Sequence, residues 1–319
     1  PSGSVRERQS AQCCGNSRYR SRFHFCGRTD AFRQSRRHFF KNQIVLKNPN
    51  ILCRQFDNMD GNLELLKKSL AGKLFGKNLH FYQEVNSTND KAFSLGMHNA
   101  PEGTAVIADS QNGGKGRLNR KWHSPPGDNI YTSVILKPEF ETFRASQIPL
   151  MAGVAVTRAL DHYCSGITLK WPNDVMIREK KVCGILSQAK LSANKINFIV
   201  LGIGINVNMD TIRFPEEIRD IATSLAIETG VTISRRELII SLYENLEKCY
   251  KQLLQKGFDP IRQEWLRLAP MTGRHIKVVF KNEEIEGTAS GLDDNGSLIL
   301  MTAENREITV LAGDSTIMR

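Results

Sequence analysis

Hydrophobic and polar positions along the first half of the chain predict alternating strands and helices. The strand candidates are LHFYQEV, GTAVIADSQ and NIYTSVILKP, the last stopped by Pro138. Between the first two lies NSTNDKAFSLG, whose cap-type residues open an amphipathic helix. The later segment SQIPLMAGVAVTRALDHY has a helical period and many small residues. This order predicts a sheet with helices packed on it.

The second half of the chain changes its pattern at about residue 270. Two strands about a turn are predicted by ITLKWPNDVMI and KKVCGILSQAK, and the β-branched run KINFIVLGIGINVN follows them. Residues 234–268 have a helical pattern. Short strands with turns such as Asp294-Asn295-Gly296 come next and are typical of a small barrel. We therefore predict an α+β fold with an N-terminal extension (1–58), a linker or short helix (59–75), a main domain (76–270) and a barrel (271–319).

The charge of the chain is concentrated at its N-terminus. The formal net charge is +11, and residues 1–58 alone hold twelve Lys and Arg against three Asp and Glu. The remainder is close to neutral, so the basic character belongs to a tail rich in Arg and Ser. That tail reads as a disordered extension, an organellar transit peptide, or translated sequence upstream of a start at Met59. It contributes nothing to the fold prediction.

Cysteine usage and hydropathy bear on the compartment. Four of the seven cysteines lie in the tail, and Cys164, Cys183 and Cys249 are scattered without a metal or disulfide spacing. This usage is typical of a reducing compartment, so we expect a cytoplasmic protein, or an organellar one if the tail is a transit peptide. No apolar run approaches the roughly 20 residues that a transmembrane helix needs. We expect no membrane association.

A glycine-rich basic segment is the first candidate for chemistry. Residues 109–125 read DSQNGGKGRLNRKWHSP, with three glycines, four cationic side chains and a tryptophan. Glycines allow close approach to a backbone, and clustered cations repel one another unless an anion lies among them. The segment is equally compatible with a solvated turn and with a phosphate-bearing ligand. It is not a Walker loop, because Arg117 follows Gly116 where that motif has lysine.

Three further segments carry polar groups in unusual places. Ser87 and Thr88 of NSTND offer hydroxyls, although a helix N-cap explains them as well. In LKWPNDVMI, Asp174 precedes Lys181 by seven residues across a predicted hairpin, so a carboxylate and an ammonium could reach one site. In GIGINVN the dinucleotide pattern fails for lack of a third glycine. Asn206 in that apolar run needs partners, which favours a binding role.

Taken in order, these motifs resemble the bacterial biotin protein ligase family, in the form without an N-terminal helix-turn-helix domain. The resemblance covers about residues 75–319, and KWPND followed by Lys181 is its most specific part. It implies a mixed-sheet catalytic domain, like those of class II synthetases and of biotin and lipoate ligases, followed by an SH3-like barrel. It also implies an enzyme, biotin–[acetyl-CoA-carboxylase] ligase, that makes biotinyl-5′-AMP from biotin and ATP. The biotinyl group then passes to a lysine of a biotin carboxyl carrier domain.

The resemblance also implies roles for particular residues. Lys181, Asp174 and Arg117 would be catalytic. Mg²⁺ would arrive with the ATP phosphates and lie near Asp174, and no metal ligand is assigned. The residues expected at biotin are Ser87, Thr88, Asn89, Gln111, Gly114, Lys115, Arg117, Lys181 and Gly184. The residues expected at ATP or the adenylate are Lys115, Arg117, Arg120, Trp122, Lys170, Asn173, Asp174 and Asn206.

The chain departs from the family pattern in its loop. The usual Gly-Arg-Gly-Arg-x-Gly-Arg reads here with Lys115, Leu118 and Asn119, which puts the closure of the loop in doubt more than the reaction. No two-helix pattern precedes residue 59, so we expect no DNA binding, and a homodimer is possible. The alternatives are a lipoate–protein ligase of the same fold, a nucleic-acid-binding regulator acting through the basic tail, and a biotin-binding protein without catalysis.

Overall fold

The computed structural model describes residues 59–192, 195–280 and 283–318. The predicted extension over residues 1–58 lies outside the described residues. A seven-stranded sheet forms the centre of the molecule in the order β1-β2-β3-β7-β6-β5-β4. β1 runs parallel to β2, and the other neighbouring pairs of this sheet are antiparallel. Its strands are β1 (Leu79–Val85), β2 (Ala105–Gln111), β3 (Ile130–Leu136), β4 (Ile167–Lys170), β5 (Asp174–Ile177), β6 (Lys180–Ser192) and β7 (Lys195–Ile205). The predicted mixed-sheet fold is confirmed.

Helices cover both faces of this sheet. The described helices are α1 (Met59–Ser69), α2 (Thr88–Met97), α3 (Gln147–Leu160), α4 (Glu216–Arg219), α5 (Leu225–Thr229), α6 (Arg235–Lys256) and α7 (Asp259–Leu268). On one face α3 packs between the sheet and α6, and twelve of its fourteen residues are buried. On the other face α2 packs on β2, β3 and β7 through a small cluster around Val106 and Phe198.

Local signals set the helix limits. The side chain of Ser87 accepts a hydrogen bond from the backbone N–H of Asp90, so α2 begins with the N-cap that its sequence predicts. The helical pattern of residues 234–268 divides into α6 and α7 at Gly257, whose φ of +76° suits glycine. The predicted strand over ITLKWPNDVMI divides as well, into β4 and β5, and the Trp171–Pro172 peptide bond between them is cis.

The C-terminal residues form a second, five-stranded antiparallel sheet in the order β11-β10-β9-β8-β12. Its strands are β8 (His275–Phe280), β9 (Glu283–Leu292), β10 (Leu298–Met301), β11 (Glu307–Val310) and β12 (Asp314–Ile317). This small sheet contacts the KWPND turn, since Trp171 Nε1 donates to Gly296 O at 3.2 Å and Ser315 Oγ donates to Trp171 O at 2.8 Å. The boundary near residue 270 remains our proposal.

Among the described residues, no helix combines the length and the apolar character needed to cross a bilayer.

Candidate active site

A cavity of about 370 Å³ opens over the middle of the seven-stranded sheet. It is lined from several directions: the start of α2, the glycine-rich loop, the β5–β6 hairpin, β7 and residues 209–222, which include α4. Gly114 lines an adjoining groove. The other residues expected from the sequence at biotin or ATP all line the cavity: Ser87, Thr88, Asn89, Gln111, Lys115, Arg117, Arg120, Trp122, Lys170, Asn173, Asp174, Lys181, Gly184 and Asn206.

A hydrogen-bonded network forms one polar wall of this cavity. The backbone N–H and the hydroxyl of Thr88 both donate to Gln111 Oε1, at 2.8 and 3.1 Å. Gln111 Nε2 donates to Ser124 Oγ at 2.9 Å. The buried Ser133 hydroxyl donates to Asn89 Oδ1 at 2.6 Å and lies 2.8 Å from Thr88 Oγ1. These bonds fix the orientation of each amide and hydroxyl, so the wall presents preorganised donors and acceptors to a polar ligand group.

Trp122 lies flat on two glycines of adjacent strands. Gly184 on β6 and Gly204 on β7 are paired in register. A Cβ atom at Gly204 would lie 2.5 Å from Trp122 Nε1, and one at Gly184 would lie 2.8 Å from Trp122 Cζ3. The indole therefore occupies the space that any larger residue at either position would take. Its Nε1 is buried and has no hydrogen-bond partner among the described residues.

Lys181 and Asp174 meet across the β5–β6 hairpin. Lys181 Nζ lies 2.7 Å from Asp174 Oδ1 and 5.4 Å from the centroid of the Trp122 ring. The backbone of Lys181 is held too, since its N–H donates to Ile221 O at 2.8 Å and its carbonyl accepts from Thr223 N at 2.9 Å. An ion pair of this partial exposure adds little stability. Its place in the cavity therefore favours a role toward a ligand.

The glycine-rich loop folds back on itself over the cavity. Gly116 N donates to Arg120 O at 2.7 Å, and Trp122 N donates to Gly114 O at 2.9 Å. At its tip Leu118 has a φ of +53°, a left-handed conformation that costs a non-glycine residue about 1–2 kcal/mol. Lys115 Nζ lies 2.7 Å from Asp90 Oδ1 in the first turn of α2. The loop is thus tied to the main domain by its lysine.

Arg117 is the most enclosed of the cationic side chains in the loop. Its Nη1 donates to Asn173 Oδ1 and to Gly313 O, both at 3.2 Å. Burial lowers the pKa of Arg117 from its ordinary value, and the neighbouring carboxylates of Asp314 and Asp174 oppose that shift. The guanidinium remains charged because the ordinary pKa of arginine exceeds 12. A fixed positive charge therefore lies close to Asp174 of the Lys181–Asp174 pair.

Asn206 is also part of the wall, but its amide serves the fold. The side chain is buried, and its Nδ2 donates to Thr223 O at 3.0 Å. Its backbone N–H donates to Val182 O at 2.9 Å. Asn206 thus satisfies the requirement for partners in an apolar strand by bridging to the segment that also holds Lys181. Any contact with a nucleotide would be additional to this bond.

Comparisons with known proteins match both parts of the chain. The model of the biotin/lipoate A/B protein ligase family matches residues 81–206, and that of the biotin protein ligase C terminal domain matches residues 272–314. The bifunctional ligase/repressor BirA of Bacillus subtilis is 37% identical over 75% of this chain and 74% of its own length. The chain belongs to the biotin protein ligase family.

Two further relatives agree with this family membership. The biotin–[acetyl-CoA-carboxylase] ligase of Paracoccus denitrificans is 32% identical, over 70% of this chain and 94% of its own. The solved structure of the biotin protein ligase from Aquifex aeolicus in complex with biotin and ATP is 35% identical, with a TM-score of 0.65, over 76% of this chain and 99% of that one. The predicted family, fold and C-terminal domain are confirmed.

Several residues of this ligase site escape a reading of the sequence. Ser133 is one of them, although a serine within the apolar run IYTSVIL is a signal that could have been followed. The carboxylate of Asp314 reaches the cavity from the C-terminal sheet, and no local pattern points to it. Residues 209–222, which include α4, supply an apolar wall that the sequence patterns did not assign. The residues of this wall at the cavity are Met209, Phe214, Ile218, Ile221 and Ala222.

Proposed function

We propose that this protein activates biotin with ATP to biotinyl-5′-AMP and transfers the biotinyl group to one lysine of a carrier domain of acetyl-CoA carboxylase. The observation that carries the proposal is a single cavity in which a fixed polar wall, a seated indole, a Lys–Asp pair and an enclosed arginine converge. The wall of Thr88, Asn89 and Gln111 would hydrogen-bond the biotin head. Trp122 and the apolar wall formed by residues 209–222 would hold the adenine.

The first half-reaction brings two anions together. An oxygen of the biotin carboxylate attacks the α-phosphorus of ATP, a C(O)–O–P bond forms, the bond between the α- and β-phosphates breaks, and pyrophosphate leaves. Positive charge at the developing transition state lowers the barrier, because it offsets the repulsion between carboxylate and phosphate. Lys181 supplies a point charge beside the indole, and Arg117 supplies a planar fork from above.

The second half-reaction needs a neutral amine. The acceptor lysine attacks the biotinyl carbonyl, an amide bond forms, and AMP leaves with the electrons of the C–O bond. Asp174 is the carboxylate placed to take the proton from the incoming ammonium. Its contact with Lys181 at 2.7 Å fixes the position of the carboxylate at the cavity, where the incoming lysine would arrive.

Magnesium enters this scheme as part of the nucleotide substrate. No group of three or more His, Cys, Asp or Glu side chains is assembled in the described part of the chain, and Asp174 is a single carboxylate already paired with Lys181. That arrangement suits Mg²⁺, which usually keeps several waters and binds through phosphates with one or two carboxylates. When bound, the ion would neutralise phosphate charge.

The remaining assignments rest on the relatives. A cytoplasmic location follows the expectation for ligases of bacteria such as Bacillus and Paracoccus. The absence of a role at DNA and the possibility of a homodimer stay predictions, because the basic residues 1–58 lie outside the described chain.

Biotin-dependent exchange of radiolabelled pyrophosphate into ATP tests the first half-reaction, with lipoate run in parallel. We expect exchange with biotin and none with lipoate. Adding an isolated carrier domain should then yield one biotinylated lysine. Exchange with lipoate in place of biotin would move the chain to the lipoate ligases, and no exchange with either acid would refute the catalytic assignment.

A further inference from the structure

A carboxylate from the C-terminal sheet reaches both arginines of the glycine-rich loop. Asp314 is the first residue of β12 and lines the cavity. Its Oδ1 lies 3.6 Å from Arg117 Nη1, and its Oδ2 contacts Arg120 Nη2. Arg117 and Arg120 would repel one another at this separation without the carboxylate between them. Asp314 therefore joins the loop to a different sheet.

Asp314 engages one end of the Arg117 guanidinium and leaves the other end open. The contacts of Arg117 with Asn173, Gly313 and Asp314 all involve Nη1. Across the described residues, Nε and Nη2 of Arg117 make no hydrogen bond. A guanidinium binds phosphate best through two parallel N–H groups on one edge. The edge that carries Nε and Nη2 is available for such a contact.

The position of Asp314 is itself fixed. The next residue, Ser315, donates through Oγ to Trp171 O at 2.8 Å, and Asp314 pairs with Val279 on β8. The carboxylate is thereby held relative to the KWPND turn, which supplies Asn173 to the same arginine. Only 20% of the Arg117 side chain is exposed, so an oriented carboxylate offsets part of the cost of its desolvation.

We propose that Asp314 is a positioning residue for adenylation, which holds Arg117 and Arg120 over the cavity so that the open edge of Arg117 faces the phosphate. The C-terminal sheet thus completes the phosphate site without touching the substrate. The inference rests on the proposed function, since it concerns how Arg117 meets the nucleotide. Removing the carboxylate leaves both cationic charges in place, but it removes the group that orients them and one negative charge beside them.

The expected effect of Asp314→Asn is therefore on retention of the nucleotide. Ordering two long side chains at the moment of binding weakens ATP and adenylate binding by about tenfold. Because the same phosphate contact is made before and during the reaction, the KM for ATP rises while kcat changes less than about threefold. A purely structural role for Asp314 would lower both the thermal stability and the fraction of active enzyme, without changing KM.

The test measures pyrophosphate exchange, release of free biotinyl-5′-AMP and thermal unfolding on the full chain. Its matched control is Asp294→Asn, which breaks the ion pair between Asp294 Oδ1 and Arg262 Nη1 (2.7 Å), another contact of the C-terminal sheet with the main domain but outside the cavity. We expect Asp314→Asn to raise the KM for ATP about tenfold and to release adenylate. Asp294→Asn should match wild type, and Asp314→Glu should recover part of the loss because it keeps the charge.

Three results would overturn the inference. The first is an unchanged KM for ATP in Asp314→Asn. The second is a lower KM for ATP in that variant, which would show that the carboxylate competes with the phosphate for Arg117. The third is an equal change of KM in Asp294→Asn. If Asp314→Asn also loses thermal stability, the KM for ATP of its folded fraction decides, because KM does not depend on the amount of active enzyme. A rise of about tenfold then supports the inference, and an unchanged KM counts against it. No exchange by wild type would overturn the proposed function and this inference together, whereas exchange by wild type with an unaffected variant overturns the inference alone.

Discussion

Gly204→Ala should displace Trp122 from its seat on the sheet. The new Cβ would lie 2.5 Å from Nε1 and 2.6 Å from Cε2 of the indole, whereas ordinary contact begins at 3.4 Å. The strand cannot yield, because β7 is hydrogen-bonded to β3 on one side and β6 on the other. The ring must therefore move by about 1 Å, the difference between the clash and an ordinary contact.

The size of the effect on catalysis follows from the proposed stacking of the adenine base on the Trp122 ring. Stacking of a base on an aromatic side chain contributes about 1–3 kcal/mol, and a misplacement of about 1 Å can cost up to about 10²-fold in rate. We expect kcat/KM for ATP to fall by about 5- to 150-fold. Stability should fall by about 0–2.5 kcal/mol, because overpacking costs about 1–3 kcal/mol while replacing a strand glycine returns about 0.5–1 kcal/mol.

Pyrophosphate exchange at varied ATP, together with thermal unfolding, measures both effects. Trp122→Phe provides the control background, since it removes the five-membered ring that the new methyl group meets. In the Trp122→Phe protein, Gly204→Ala should change the transition-state free energy by less than about a third of the change that it causes in the wild-type protein. The reason is that the effects of mutations at two contacting residues are not additive. Wild-type kinetics in the Gly204→Ala protein would refute the close contact of the indole with Gly204. Equal effects of Gly204→Ala in the wild-type and Trp122→Phe proteins would refute the clash with the indole as the cause.

The remaining predictions concern the charged groups and the tail. Lys181→Ala should lower the rate of exchange by about 10²–10³, the cost of one electrostatic donor, and near-normal turnover would remove Lys181 from the mechanism. Arg117→Gly should let biotinyl-5′-AMP escape and label lysines of bystander proteins, so labelling confined to the carrier would contradict the loop assignment. Burial raises the pKa of Glu247, but hydrogen bonds from Lys251 and the backbone of Leu74 prevail and lower it. Glu247 therefore stabilises the fold above its unfolded pKa of about 4.3, and that contribution is lost as pH falls through the lower folded value, so urea unfolding of Glu247→Gln should depend less on pH below about 4.5. Deleting residues 1–58 should leave exchange intact, and salt-dependent binding of nucleic acid by the full chain but not by the truncated one would favour the regulator hypothesis instead.

Local patterns predicted those parts of the site whose partners are close in the chain. Ser87 caps α2 through the N–H of Asp90 three residues later, which is a property of a helix start. Asp174 and Lys181 meet across one hairpin, because seven residues and a tight turn bring opposite strands together. The order of these motifs was specific enough to indicate the family, although each segment alone fitted an ordinary turn or cap.

The sequence patterns could not identify the cavity residues that come from distant parts of the chain. Ser133 stands in an apolar strand and is recognisable as a partner of Asn89 only once β3 lies beneath α2. Residues 209–222 have no regular period, and they become an apolar wall because the backbone of Ile221 and of the adjoining Thr223 bonds to the backbone of Lys181. Periodicity describes which face of an element is buried, but not which other element covers it.

The sequence by itself determined the strands and helices, the charge of the tail and the chemical groups available, since these depend on a residue and its near neighbours. Tertiary structure alone decided that the glycines of β6 and β7 would seat Trp122, and that Asp314 would reach Arg120, 194 residues away, from a separate sheet. Such contacts arise when whole elements pack, because packing sums many weak interactions over surfaces that no short stretch of chain encodes.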